Sequence, residues 1–431
     1  MNITNLFKDI PIDYSWSFTG LTIKDTAYLT HGFYTYPAKF IPQIVSRLID
    51  SHSKVGDYVL DPFMGSGTTI LEAIVNNRNA IGVDINEIAC LVAKVKTTPI
   101  NKSLLLKEYM TIEMDIHQRI KNNYIEHISV ALQNVPHNSR IDFWFKPVQK
   151  EKLSIIWTRI NEIKNQDLKD FFLVGFAQIL KSCSIWMQKS VKPTRDMSKN
   201  DIDPITIFQS QIKKMIKKNS ELMDILSSDV KNNINKHRTI ECGNAYKIPC
   251  DDEQIGLVIT SPPYVTSYEY ADLHQLPSLW FGYMSEISQF RDKFIGSAYR
   301  ANGKVELHSK IAEDLTNELN INSKKSKEVQ SYFADMYDTF LEMKRVLRYK
   351  GKICIVIGNT QFKNVDILNA EVFVQQLENI GFKVFDIVHR EIPSKMLPST
   401  RDIHTGQFVK ADNTNKKLAY PTEYILIMEK I

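Results

Sequence analysis

The sequence predicts an α/β protein, built on a doubly wound, mostly parallel sheet with an antiparallel last strand and a helical insertion. Three observations carry that expectation. Between Asp57 and Ile85 the chain reads as strand, turn, helix and strand in direct succession. From about Asn101 to Lys236 it changes to long, charged segments with helical spacing. Beyond Lys236, strand patterns resume and alternate with helical ones to the C-terminus.

In chain order, YVLD is an apolar, β-prone run, GSGTT a turn, ILEAIVNN a segment with helical spacing, and AIGVDI a second buried strand. Two strands joined through a helix must run parallel, because only a crossover connects them. FWFKPVQKEKLSIIWTRINEIK and DFFLVGFAQILKSCSIWMQ then repeat apolar residues at helical intervals. RTIECGNAY and IGLVITSPPY supply two further strands, and a polar stretch from about Ser285 to Glu328 interrupts the pattern. SYFADMYDTFLEMKRVLR reads as a helix before the strand GKICIVIGN, and DILNAEVFVQQLENIG as a helix after it. The last strands, KVFDIVHREI and EYILIMEKI, are joined by a loop from Pro393 to Thr422 without helical pattern, so they are expected to pair antiparallel. The expected organisation is an N-terminal part of the sheet domain over 1–100, the insertion over 101–236, and a C-terminal part over 237–431 with a polar insertion at about 285–328.

With 431 residues and 43% hydrophobic side chains the chain can bury a sizeable core. Its net charge of +5 is compatible with nucleic acid without demanding it. Five scattered cysteines lack the close pairs of zinc or redox motifs, and His31 and His274 have no paired ligands, so no metal is expected. No targeting segment and no membrane-length apolar run is read, which predicts a soluble cytoplasmic protein with free thiols.

DPFMGSGTT, Asp61 to Thr69, follows a strand and precedes a helix, which puts it at the carboxyl edge of a parallel sheet, where ligands bind. Gly65 and Gly67 allow a tight turn and close approach of backbone to a ligand. No lysine follows the glycines, so the segment is not a phosphate-binding P-loop. Asp84, at the end of the next strand, can accept hydrogen bonds from two ribose hydroxyls. Further on, Ser261-Pro262-Pro263-Tyr264 ends the strand IGLVIT: two prolines cannot donate to a ladder, so the strand stops and leaves carbonyls free at the same edge.

DPFMGSGTT with TSPPY resembles the amino-methylating DNA methyltransferases of restriction-modification systems, in particular their cytosine-N4 branch. The resemblance covers roughly two thirds of the chain and implies a Rossmann-like methyltransferase fold with S-adenosyl-L-methionine as cofactor. By position it implies that Asp61 to Gly67, including Pro62, Phe63 and Gly65, wrap the methionine part with Thr68 beside them, and that Asp84 holds the ribose. HGFYTYPAKFIPQIV, His31 to Val45, is similar to the family's upstream motif, which makes Tyr36, Lys39 and Phe40 candidate pocket contacts. The residues alone equally describe an aromatic loop packed into the core. Asn244, in ECGNAY, stands where the family commonly has an acidic residue beside the adenine.

A base amine is a poor nucleophile, its lone pair being delocalised into the ring. Acceptors for both amine hydrogens favour a pyramidal nitrogen and stabilise the charge that grows on it. The Ser261 hydroxyl and the Pro262 carbonyl are the candidate acceptors, and Tyr264 the ring on which a flipped base stacks, with Tyr268 and Tyr270 near enough to help hold it. In the family, Ser before the prolines usually accompanies cytosine and an acidic residue or Asn adenine, so the resemblance implies the 4-amino group of cytosine. Adenine and RNA methylation, and a nucleic-acid-binding protein with a degenerate site, are the alternatives. A nicotinamide dehydrogenase would read G-x-G-x-x-G and leave SPPY unexplained.

The implied partners are double-stranded DNA and a separately acting restriction endonuclease. Three segments compete as the recognition region: the helical insertion, the polar stretch and the loop Pro393 to Thr422. Lys192 to Arg195, Ser399 to Arg401, and Lys213, Lys214, Lys217 and Lys218 are candidate phosphate contacts, and each group reads equally well as solvated surface.

Overall fold

The computed structural model describes residues 3–36, 39–122, 124–190, 192–265, 270–286, 288, 291, 295, 305–320, 323–362, 365–393, 400–403, 409 and 412–431. Their strands are β1 (Tyr58–Asp61), β2 (Asn79–Asp84), β3 (Arg238–Cys242), β4 (Ile255–Thr260), β5 (Leu347–Ile357), β6 (Thr360–Phe362), β7 (Val365–Ile367), β8 (Phe382–Glu391), β9 (Thr400–Asp402), β10 (Lys416–Leu418) and β11 (Thr422–Lys430). Seven form one sheet in the order β3-β2-β1-β4-β5-β11-β8. The pairs from β3 to β5 are parallel, and β11 runs antiparallel between β5 and β8. This is the expected Rossmann-like methyltransferase fold.

Alternation along the strands sorts side chains onto the two faces. Leu60, Val258, Ile353 and Ile355 pack with the helices Lys324–Val346 and Asn369–Asn379. Val59, Leu257, Ile259, Cys354 and Val356 pack with the helices Pro42–His52 and Thr68–Val75. β4 is buried along its whole length, which is why IGLVIT is a continuous apolar run.

The helices between β2 and β3 form a third core that also takes in Ile88, Val92 and Val95 of the helix Glu87–Thr97 and Leu276, Leu279 and Trp280 beyond SPPY. Trp280 is fully buried, its ring 5.3 Å from that of Phe176 and 5.7 Å from that of Phe145. The insertion thus grips the chain that follows SPPY.

Several boundaries differ from the sequence reading. The helix read from Ser331 begins at Lys324 and ends at Val346, and Leu347 already belongs to β5. The polar stretch contains the helix Lys310–Glu318, capped by the Ser309 hydroxyl. The segment after β5 opens with a β6–β7 hairpin, and the Pro393–Thr422 loop carries a β9–β10 ribbon. Strands of three residues are too short for alternation to show. Among the described residues no helix is long and apolar enough to cross a membrane.

Candidate active site

β1 and β4 are neighbours, and the loops leaving their carboxyl ends meet at one cleft with about 900 Å³ of empty space, solvent included. Asp61, Pro62, Phe63, Gly65 and Thr68 line it from the first loop, and Ser261 and Pro263 from the second. Asp84, Asn244, Tyr36, Lys39 and Phe40 line it as well.

The glycine loop is braced from within. Asp61 accepts the Thr260 and Thr69 hydroxyls, each at 2.7 Å, and the Phe63 N–H at 3.1 Å, tying the end of β1 to β4 and to the following helix. Burial pushes its carboxyl up to about 6 against the pull of those hydrogen bonds. Asp84 accepts the Gly65 and Asn86 N–H groups, both at 2.9 Å, and burial raises it to about 6 as well. A carboxylate has about four acceptor sites, so ribose hydroxyls can still be bound.

Both glycines have left-handed backbone, with φ of 48° at Gly65 and 73° at Gly67. The room they leave is for the protein itself. A Cβ on Gly67 would stand 2.7 Å from that of Ala93, and one on Gly65 would stand 3.1 Å from the Tyr36 ring. Gly67 lies beside the residues that line the cleft rather than among them. Thr68 beside it is buried in the lining, and its hydroxyl has no hydrogen-bond partner among the described residues, a polar atom suited to a ligand. Asn244 uses its side-chain oxygen locally, accepting the Tyr246 N–H at 3.1 Å.

Pro262 is buried and, like Tyr264, is not part of the cleft lining. The Tyr264 hydroxyl instead donates to Glu423 at 3.1 Å. Tyr268 and Ser399 lie outside the described residues, and Tyr270 opens a one-turn helix.

Behind the glycine loop lies a polar cluster that the sequence did not disclose. Lys96, fully buried, donates to the Ser66 carbonyl at 2.7 Å, and burial holds its ammonium well below the usual lysine range. Glu72, pushed up to about 7 by burial, accepts the Tyr28 hydroxyl at 2.5 Å and pairs with His31 at 2.8 Å. Lys39 donates to the His31 carbonyl at 3.1 Å, and burial brings its ammonium down to about 8. His274 lies against Tyr36, with ring centroids 4.6 Å apart and the planes tilted by 30°.

The insertion reaches the other loop through Trp144 and Arg140, which both donate to Gln275 at 3.1 Å. Of the candidate phosphate contacts, Arg195 lies over Phe143, Lys213 over Tyr109, Lys218 pairs with Glu221, and Arg401 donates to the Tyr420 hydroxyl. Met64 and Ser66, inside the expected stretch Asp61 to Gly67, also line the cleft, as do Ile85, Gly243, Ala245 and Ile295, which were not expected. Gly243 and Ala245 were within reach of sequence, since they flank Asn244 after a strand end.

Three relatives place this geometry. The chain is 27% identical over 415 residues to the Type II methyltransferase M.MvaI of Kocuria varians, covering 89% of this chain and 88% of that protein. It is 23% identical over 410 residues to the Type II methyltransferase M.BsoBI of Geobacillus stearothermophilus, covering 83% and 79%. A shorter match, 42% over 85 residues, joins it to the Type II methyltransferase M.MjaII of Methanocaldococcus jannaschii, covering 20% of this chain and 16% of that one. A DNA methylase family model matches residues 6–95 and 255–431, both sides of the sheet domain, and passes over the helical insertion and β3. The two loops that build the cleft fall inside those segments, and the chain belongs to the N6/N4 family of DNA methylases, which draw their methyl group from S-adenosylmethionine.

Proposed function

We propose that this DNA methylase modifies the 4-amino group of a cytosine flipped out of double-stranded DNA, as the modification enzyme of a restriction-modification system. The observation that carries the reading is that Ser261 and Pro263 line the same cleft as the glycine loop and Asp84. The methyl acceptor and the methyl donor would therefore meet there.

The residues present fit the cofactor. Asp84 offers free acceptor positions to the ribose, the Thr68 hydroxyl is buried without a partner, and Phe63 and Phe40 give apolar walls. Lys39 supplies a cation for a carboxylate. The Asn244 oxygen accepts the Tyr246 N–H and keeps a second lone pair for the adenine amine.

S-adenosylmethionine supplies an activated methyl on a sulfonium, so the protein needs neither a covalent intermediate nor a metal. Ser261 and the Pro262 carbonyl accept the two amine hydrogens, drawing the lone pair out of the ring and stabilising the charge that develops on nitrogen. Tyr264 stacks on the flipped base, which offsets part of the few kcal/mol that flipping costs. The helical insertion, 101–236, is our choice for the recognition region because it holds the segment that follows SPPY. The relatives' designation as Type II methyltransferases supports a separately acting endonuclease partner.

The test is nucleoside analysis of DNA methylated by the purified protein. N4-methylcytosine is expected. N6-methyladenine in its place would refute the choice of base while leaving the amine chemistry intact, and methylation of RNA alone would refute the choice of DNA.

A further inference from the structure

We infer that Glu423, held by Arg390, is a positioning residue for Tyr264 and sets the ring on which the target base stacks. The inference rests on the stacking assigned to Tyr264 above. Tyr264 lies four residues beyond the end of β4, whereas Glu423 is near the start of β11, two strands away. At roughly 4.8 Å between strands, the phenol must cross the end of β5 to reach it.

Gly358, the residue after β5, makes that crossing possible. A Cβ there would stand 3.3 Å from Cε2 of the Tyr264 ring. Beyond it, the hydroxyl donates to Oε2 of Glu423 at 3.1 Å. The other carboxylate oxygen, Oε1, accepts from Arg390 Nη1. Arg390 and Glu423 are direct cross-strand partners on β8 and β11, and both are buried. Arg390 is fixed in turn from the N-terminal segment: Nε donates to the Trp16 carbonyl at 2.7 Å and Nη2 to that of Ser17 at 3.4 Å. Glu423 is therefore a buried carboxylate with one oxygen spent on an immobilised guanidinium and the other on the phenol. Its second hydrogen bond fixes where the Tyr264 hydroxyl sits, and with it the angle of the ring.

Such a residue acts on turnover through Tyr264 and leaves the cofactor alone, since neither Glu423 nor Arg390 lines the cleft. The experiment measures kcat on unmethylated bacterial DNA and the Kd for S-adenosylmethionine in Tyr264→Phe, Glu423→Gln, the double variant and Tyr264→Ala. Tyr264→Phe keeps the ring and the Arg390–Glu423 pair and removes only the hydroxyl. Both single changes are expected to lower kcat about tenfold with Kd unchanged, a misplacement effect. The double variant should be no slower than either single one, because both break the same hydrogen bond.

Full kcat in Tyr264→Phe overturns the inference even if Glu423→Gln fails to fold. Losses that multiply in the double variant, or a Kd that rises with them, overturn it as well. Tyr264→Ala separates this outcome from the underlying reading. A large loss there with none in Tyr264→Phe removes only the positioning role, whereas full activity in Tyr264→Ala removes the stacking itself.

Discussion

Two loops leave adjacent parallel strands and face one cleft, yet they are held in different ways. The loop after β1 is braced mainly by its sequence neighbourhood: Asp61 by Phe63 and Thr69, Gly65 by Asp84, the Ser66 carbonyl by Lys96. The loop after β4 is held by residues far along the chain. Tyr264 reaches Glu423, Gln275 is bound by Trp144 and Arg140, and His274 lies against the Tyr36 ring. The first loop is a local device that any chain can carry as a motif. The second is a short motif whose geometry comes from the rest of the molecule.

The sharpest division between the loops is in what their loss affects. Ser261→Ala removes the acceptor proposed for the amine and is expected to cut kcat by roughly 10²–10³-fold, as loss of one transition-state hydrogen-bond partner does elsewhere. Tyr264→Ala removes stacking of about 1–3 kcal/mol and should cost roughly 5–150-fold in kcat/KM for DNA. In both, calorimetry should give the wild-type affinity for S-adenosylmethionine. A large loss of cofactor affinity in either variant would erase the distinction between the loops.

The converse holds for Asp84→Asn. The amide cannot keep two N–H donors and two ribose hydroxyls on charged oxygens, and hydrogen bonds to a charged group are worth about 1.5–3 kcal/mol. Cofactor affinity should therefore fall roughly 10–100-fold, with kcat at saturating cofactor much less affected.

The same contrast explains what could be read in advance. β1, the glycine turn, the helix and β2 follow from patterns within thirty residues, and their positions were readable to within two residues. The supports of the second loop were not readable. Glu423 looks like an ordinary polar position at a strand end, and Arg390 like the solvated side of KVFDIVHREI, because sequence does not disclose that the two face each other across β8 and β11 in a buried place. Lys96 and Glu72 were hidden for a similar reason. Each is a charged residue in an amphipathic helix, a pattern that describes solvated faces far more often than a buried cluster. The close approach of Ala93 to Gly67 was hidden as well, because Ala93 arrives from the next helix.

Gly67→Ala tests whether the local brace concerns stability or ligand. The change forces a side chain into left-handed backbone and against Ala93, and should destabilise the fold by about 1–3 kcal/mol. The measurement is the shift of the urea midpoint. An unshifted midpoint with weakened cofactor binding would return Gly67 to the role the sequence alone suggested.

The smallest expected effect is on the pH dependence of cofactor binding, and it follows from three buried charges in the first loop's cleft. Asp61 and Asp84 stand at about 6, raised by burial, and the charge of Asp84 adds to the rise at Asp61. As pH falls through about 6 the pair takes up protons and Asp84 loses its strength as an acceptor for the ribose, so affinity falls on the acid side. Lys39 stands at about 8, lowered by burial; its ammonium is present below that pH and lost above it, so attraction for the cofactor carboxylate fades on the alkaline side. The profile of affinity against pH should be a shallow bell, a few-fold at each limb, with apparent midpoints that belong to coupled groups. Lys39→Met should flatten the alkaline limb only. Asp84→Asn should shift the remaining acid limb to lower pH, because Asp61 then titrates without a neighbouring negative charge. An acid limb unmoved in that variant would mean that the two carboxyls do not sense each other and that the brace and the ribose contact are separable parts of the loop.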